Sequence, residues 1–416
     1  MRRYTRFTIG SLAVLCFAAG CSSKSVDERA TGGEGDVKTD IGVTKSEITL
    51  GALTDLSGPF KSRGIATSHG NQIWADEVNA SGGICGRKIV LDLQDHGYKP
   101  DNAVPLYDTM VTKDLAIMNM LGSPVFAALK KKLSADSMLT VTSSLSSFNL
   151  STPEALMLGQ TNDLETVNGF AWTAKQGVIS DGDPIGIIYL DSEYGQNALL
   201  GAKWYAKKHG MALTEAAVSA SDTDMTITMT KMRSAGVKAI ALALTPASVG
   251  SVAVQNSALG MNVPLIGNSP AFSASLLDNE ATTKAMVNFH LIDSFPAYWS
   301  KDNQKAKDLA AEYSKKYSDQ PDKAIPYGYV QGLVFQKILQ QACDDGDLTR
   351  KGVLAARTKI DSIDSDGLAP KLDLSTPDQP TSREAYVLDV DASKPGGLKN
   401  ADGPFESPDA SEYKTP

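Results

Sequence analysis

Short apolar runs alternate with amphipathic stretches along this chain, and the rhythm starts twice. "EITLGAL", "RKIVLDLQD", "LAIMNMLG" and "MLTVTSS" read as strands. Between them, "SHGNQIWADEVNASGG", "PDNAVPLYDTMVTKD" and "PVFAALKKKLSAD" read as helices, the first with Ile73, Trp74 and Val78 on one face. A second series has the strands "PIGIIYLD", "ALTEAAVS", "KAIALALT" and "PLIGNS". Its helices are "YGQNALLGAKWYAKKHG", "DMTITMTKMRSAG" and "PASVGSVAVQNSALG". Strands separated by single helices pair in parallel, so the pattern specifies an α/β chain with two doubly wound parallel-sheet lobes. A long helix, "IPYGYVQGLVFQKILQQACDDG", and a late strand, "EAYVLDVD", follow both series.

The ends read differently. "MRRYTRFTIGSLAVLCFAAGCSSKS" has a basic start, a short apolar stretch and small residues, the layout of a secretory signal over residues 1–20. Its apolar run is short for a membrane span. The end, "FAAGCSSKS", resembles a bacterial lipobox with Ala18 where Leu is usual, which implies lipidation of Cys21. Residues 21–45, poor in large apolar side chains, read as a flexible leash, and residues 396–416, rich in Gly, Pro and Asp, as a loose tail. The expected localisation is outside the cell, lipid-anchored to the outer face of the cytoplasmic membrane. With 416 residues, 42% hydrophobic, the chain has ample core. Its formal net charge of −8 gives no broad footprint for nucleic acid.

In open parallel sheets ligands sit beyond the carboxyl ends of the strands. The loops there span residues 54–58, 122–126, 142–147, 191–194, 245–248 and 267–271, and hydroxyl residues, Gly and Pro dominate them. Each such residue also suits a helix N-cap, but six loops of this kind around two lobes favour a polar cleft. The chain has no GxxxxGK[ST], no GxGxxG after a strand and no GxSxG elbow. His69, His96, His209 and His290 are scattered without metal-ligand spacing, and Asp95 and Asp191 do not form a marked acid–base pair. The expectation is binding rather than catalysis, with no metal and no cofactor.

The run "GVTKSEITLGALTDLSGPFKSRG", followed by "NQIWADEVNASGGICGRKIVLDLQDHGYKPDNAV", resembles the amino-terminal lobe of the branched-chain amino acid (leucine/isoleucine/valine) type of periplasmic binding protein. The likeness continues through "LGSPVFAALKKKLSADSMLTVTSS", "IGIIYLDSEYGQNALLGAKWYAKKHG" and "PYGYVQGLVFQKIL", covering nearly all of residues 44–395. It implies a type I periplasmic binding protein fold: two lobes joined by a three-segment hinge and closing on a small organic solute. Lobe one would span 46–160 plus 294–366 and lobe two 161–293 plus 367–395. The implied partners are the permease and ATPase subunits of an ABC importer and, through the lipid, a membrane. The family topology puts Cys85 and Cys343 in one lobe, implying a disulfide in an exported chain.

Carried over position by position, the resemblance implies ligand contacts at Ser123 with Pro124, and at Ser144, Leu145 and Ser146. It adds Tyr194 as a cover from lobe two, Ser57, Phe60 and Arg63 from the opening loop, and Thr245 and Ser269 from the later loops. Amino-acid binders of the family carry a Glu near the position of Ser269, where it meets the ligand ammonium. Its replacement disfavours a standard amino acid unless Asp191 or Asp222 takes that role. Phe126 and Phe272, on the cleft, would favour an apolar or aromatic ligand body; otherwise they are core. A ligand-sensing receptor subunit and a secreted hydrolase are the alternatives.

Overall fold

The computed structural model describes residues 37–299 and 303–416. The signal sequence, Cys21 and most of the leash lie outside the described residues. The elements of the first series are β1 (Lys38–Thr39), β2 (Glu47–Thr54), α1 (Lys61–Ala80), β3 (Lys88–Asp95), α2 (Pro100–Met110), β4 (Ala116–Met120), α3 (Ser123–Ala135), β5 (Thr140–Thr142) and β6 (Ala155–Leu156). The second series comprises α4 (Asn162–Lys175), β7 (Ile185–Leu190), α5 (Glu193–Lys208), β8 (Leu213–Val218), α6 (Thr226–Ser234), β9 (Ile240–Ala243), α7 (Pro246–Ala258), β10 (Leu265–Gly267), α8 (Glu280–Ala285) and β11 (Phe289–Asp293). The remainder is α9 (Gln304–Lys316), α10 (Ala324–Asp344), β12 (Asp347–Leu348), α11 (Arg350–Arg357), β13 (Ala385–Val390), β14 (Leu398–Phe405) and α12 (Pro408–Glu412).

Two main sheets form. The first has the order β3-β2-β4-β5-β6, all parallel. The second runs β14-β13-β11-β10-β9-β7-β8, parallel from β11 to β8 and antiparallel at β13 and β14. Strand alternation sorts the first core: Ile48 and Leu50 of β2 face the layer of α1 and α10, while Leu53 faces α2 and α3. The chain passes between sheets after β6, after β11 and before β13. Leu368, Leu372 and Leu374 still pack in the core of lobe one, so the third passage falls later than residue 366.

Both segments read as loose hold structure. β1 pairs in parallel with β12, so the leash enters the fold before residue 45. In the tail, β14 pairs with β13 at the sheet edge and α12 follows. Tyr413 is buried and donates from its hydroxyl to Asp163 Oδ2 at 3.0 Å, and Arg383 Nη2 donates to the Tyr413 carbonyl at 3.0 Å. Local composition did not reveal this, because the tail's partners lie more than two hundred residues away or across an antiparallel hairpin.

Lobe one turns on the seam between α1 and α10. A Cβ added at Gly70 would sit 2.1 Å from the Ile325 carbonyl oxygen, one at Gly328 2.1 Å from that of Thr67, and one at Gly332 2.2 Å from the Trp74 ring. Asn71 Nδ2 donates across the seam to the Gly328 carbonyl at 2.8 Å and to Gln331 Oε1 at 3.0 Å. Cys85, just beyond α1, and Cys343, near the end of α10, are joined in a disulfide with a Cα–Cα distance of 6.4 Å. No helix among the described residues is long and apolar enough to cross a membrane.

Two outcomes follow from this seam. Gly328→Ala forces two helix backbones apart and lowers stability by about 1–3 kcal/mol, read by denaturant unfolding. Reduction of Cys85–Cys343, or its replacement by two serines, costs about 2–5 kcal/mol, read as a fall in Tm that reductant no longer changes in the variant.

Candidate functional site

The loop from β2 into α1 is organised by one carboxylate. Asp55 accepts from the Phe60 N–H at 2.8 Å and the Ser57 N–H at 3.2 Å, and also from the Gly58 N–H. A Cβ at Gly64 would lie 1.9 Å from the Asp55 carbonyl oxygen, so the first turn of α1 lies tight on this loop. Phe60 and Arg63 are thereby aimed at lobe two, and both are buried. Tyr98 is held beside Phe60, with ring centroids 4.8 Å apart, by its N–H donating to His96 Nδ1 at 2.8 Å. Burial lowers the His96 pKa below its ordinary value, which keeps Nδ1 free to accept.

Two cavities meet at Arg63. One is bounded by Arg63, Leu145, Ser269, Asp293, Lys323 and Tyr327 among others. The other is bounded by Phe60, Arg63, Tyr98, Leu121, Ser123 and Tyr194 with neighbouring small residues. Walls come from both lobes, and the lobes are in contact. Arg63 Nη1 donates to the Ser269 carbonyl at 3.5 Å, and Asn149 Nδ2 donates to Glu193 Oε1 at 2.6 Å. Asp322 Oδ2 accepts from Ser273 Oγ and Ala274 N, each at 3.0 Å. The neighbouring Lys323 forms a buried ion pair with Asp293.

Charge in this cleft is unevenly matched. Lys323 has its carboxylate, whereas no described carboxylate forms an ion pair with Arg63. The Arg63 guanidinium lies over the Tyr327 ring at 5.2 Å, and its Nε has no described partner. Tyr194 Oη, Ser269 Oγ and Glu165 Oε1 are likewise buried without a described hydrogen-bond partner. Glu165 Oε2 accepts from Asn268 Nδ2 and the Ser269 N–H, each at 3.1 Å. Burial, reinforced by the nearby Asp293 carboxylate, pushes the Glu165 carboxyl up to about 8. Burial also raises the Tyr194 phenol well above its ordinary range.

The residues expected at the site divide. Phe60, Arg63, Ser123, Leu145, Tyr194 and Ser269 bound the two cavities. Ser144 stands behind Ser123, its Oγ donating to Ser123 Oγ at 3.0 Å and to Glu193 Oε1 at 3.4 Å. Ser146 is buried at the start of a 3-10 turn and bounds neither cavity. Three further expected residues lie away from the two cavities. Ser57 is exposed and bounds neither cavity. Phe126 is buried in the core between sheet and helices with Leu53 and Leu129. Thr245 caps α7, accepting from the Ser248 N–H at 3.3 Å. Phe272 packs in the core of lobe two, and Asp191 and Asp222 are exposed. Tyr98, Asp293, Lys323, Tyr327 and Glu165 were not singled out by the sequence, because each sits at an element end that only the fold carries to the cleft.

The sequence profile of the periplasmic binding protein family matches residues 47–396. A fatty acid ABC transporter substrate-binding protein from Thermomonospora curvata is 33% identical and superposes with a TM-score of 0.88, over 91% of this chain and 97% of that one. A branched-chain amino acid ABC transporter protein from Thermus thermophilus, solved with bound valine, is 14% identical with a TM-score of 0.79 over 89% and 99% of the two chains, a likeness of fold. Among curated proteins, the Leu/Ile/Val-binding protein BraC3 of Rhizobium johnstonii is 26% identical over 231 residues, which are 53% of this chain and 61% of that protein. The two sheets, the three passages between them and the profile match together establish that this chain belongs to the periplasmic binding protein family.

Proposed function

We propose that this protein is the exported, lipid-anchored solute-binding component of an ABC importer, and that its cleft closes on a small organic acid. The observation that supports the ligand class is Arg63. A buried cation with no described carboxylate partner is costly unless an anion completes it. A ligand carboxylate against Arg63 would leave its body on Phe60, Tyr98, Leu121 and Tyr194, an apolar and aromatic surface. The names of the relatives agree on this much: fatty acids and Leu, Ile and Val all join a carboxylate to a hydrocarbon body. Closure would proceed by rotation of the lobes about the three hinge segments, with the interlobe bonds of Asp322, Lys323 and Glu193 securing the closed form for the permease.

Thermal unfolding of residues 22–416 against octanoate, phenylacetate, leucine and leucinamide tests the ligand class. A carboxylate ligand at a hundredfold excess over its Kd stabilises by about 2.7 kcal/mol, a Tm rise of several degrees. Arg63→Gln removes the rise without lowering the Tm of the free protein, since it removes an uncompensated buried charge. A rise with leucinamide, which lacks the carboxylate, or one that survives Arg63→Gln, rejects the reading. The anchor is tested in cells: Cys21→Ser moves the protein from the membrane fraction to the medium, and an unchanged membrane fraction rejects lipidation.

A further inference from the structure

The organic-acid reading leaves one buried group without a role. Glu165 stands at the start of α4, fully buried, directly behind the Ser269 wall of the cleft. Its Oε2 is occupied by the Asn268 amide and the Ser269 N–H, whereas Oε1 has no described partner. Two hydroxyls in the same region, Tyr194 Oη and Ser269 Oγ, also have none. Three elements bring a charge or a phenol into its neighbourhood. β11 brings the Asp293 carboxylate, already paired with Lys323 from the start of α10. α5 brings the Tyr194 phenol, which feels the Glu165 charge, and α1 brings Arg63 against the Ser269 carbonyl.

We infer that Glu165 is a specificity-determining residue of the cleft: it holds a proton in the closed state, so that the wall beside Arg63 is neutral to an anionic head group, and an anionic ligand binds together with that proton. This rests on the organic-acid reading above. An ionised Glu165 would place a second carboxylate beside Asp293 and repel the ligand carboxylate across Ser269. A protonated Glu165 removes that repulsion and offers an O–H to the region where the unpartnered hydroxyls lie. An ammonium on the ligand would draw the opposite response, ionising Glu165 and releasing its proton on binding.

The sign follows from linkage. Protonated Glu165 predominates below about 8, the value to which burial and Asp293 raise it. An anion bound nearby raises it further, so affinity is full below that pH and declines above it. Octanoate, ionised throughout this range, is the probe. Its affinity for residues 22–416, followed by calorimetry from pH 6.5 to 9.5, is expected to fall by about tenfold between pH 7 and pH 9. The proton count, obtained from binding heats in buffers of different ionisation enthalpy, is expected to show net uptake near pH 8. In Glu165→Gln the affinity is expected to be level across the same range. A level or rising profile for the unaltered protein, net proton release, or a slope that survives in Glu165→Gln overturns the inference. The proton count on the unaltered protein decides it even where the variant does not fold. Octanoate binding that depends on Arg63 but not on pH removes this inference and leaves the organic-acid reading standing; no octanoate binding at any pH removes both.

Discussion

The approach of α1 to α10 is the contact from which the rest of the site is built. Helices separated by ordinary side chains pack 8–10 Å apart. Here Gly70, Gly328 and Gly332 let backbone or ring atoms of the neighbour occupy the space of a Cβ. Arg63 lies two turns before Gly70 on α1, and Tyr327 immediately precedes Gly328 on α10, so the same seam that removes side-chain volume sets guanidinium over ring at 5.2 Å. The disulfide holds the far end of the pair. The near end, freed from that restraint, borders the cleft and can meet lobe two.

Burial gives the cleft its chemistry. The Lys323–Asp293 pair is matched within the protein and serves to join the lobes. Arg63 has no described carboxylate partner, and by the inference above Glu165 is relieved of its charge by keeping a proton. A cation left to a ligand and an acid held neutral are two responses to the same cost, that of taking charge out of water. On the organic-acid reading proposed above, they make the closed cleft net attractive to an anion although the chain as a whole carries a formal charge of −8.

Most of the α/β units were legible because each declares itself locally, by apolar runs of strand length and by helix-period faces, but α4 and β11, which carry Glu165 and Asp293, were not read from the sequence. The loops at strand ends were legible too, and six of the expected residues bound the cavities. Failures came where one residue type serves two purposes. Thr245 is a hydroxyl at a helix start and is there to cap it. Phe126, one turn into α3 behind Ser123, points to the core rather than the cleft. Ser57 lies in the same loop, which Asp55 holds, but it is exposed while Phe60 and Arg63 are buried.

By itself the sequence determined the two α/β lobes, since these rest on local periodicity, while the pairing of Cys85 with Cys343 came from the family resemblance and the glycine seam from the structure. Only the tertiary structure decided that β14 closes the second sheet, that Lys323 meets Asp293 across the lobes, and that Glu165 stands behind Ser269. Glu165 and Ser269 are 104 positions apart, and a carboxylate in the first turn of a helix ordinarily favours the helix dipole and faces water. Whether such a group is solvated and charged or buried and neutral depends on what packs over it. That depends on three passages of the chain between lobes, which no local pattern encodes.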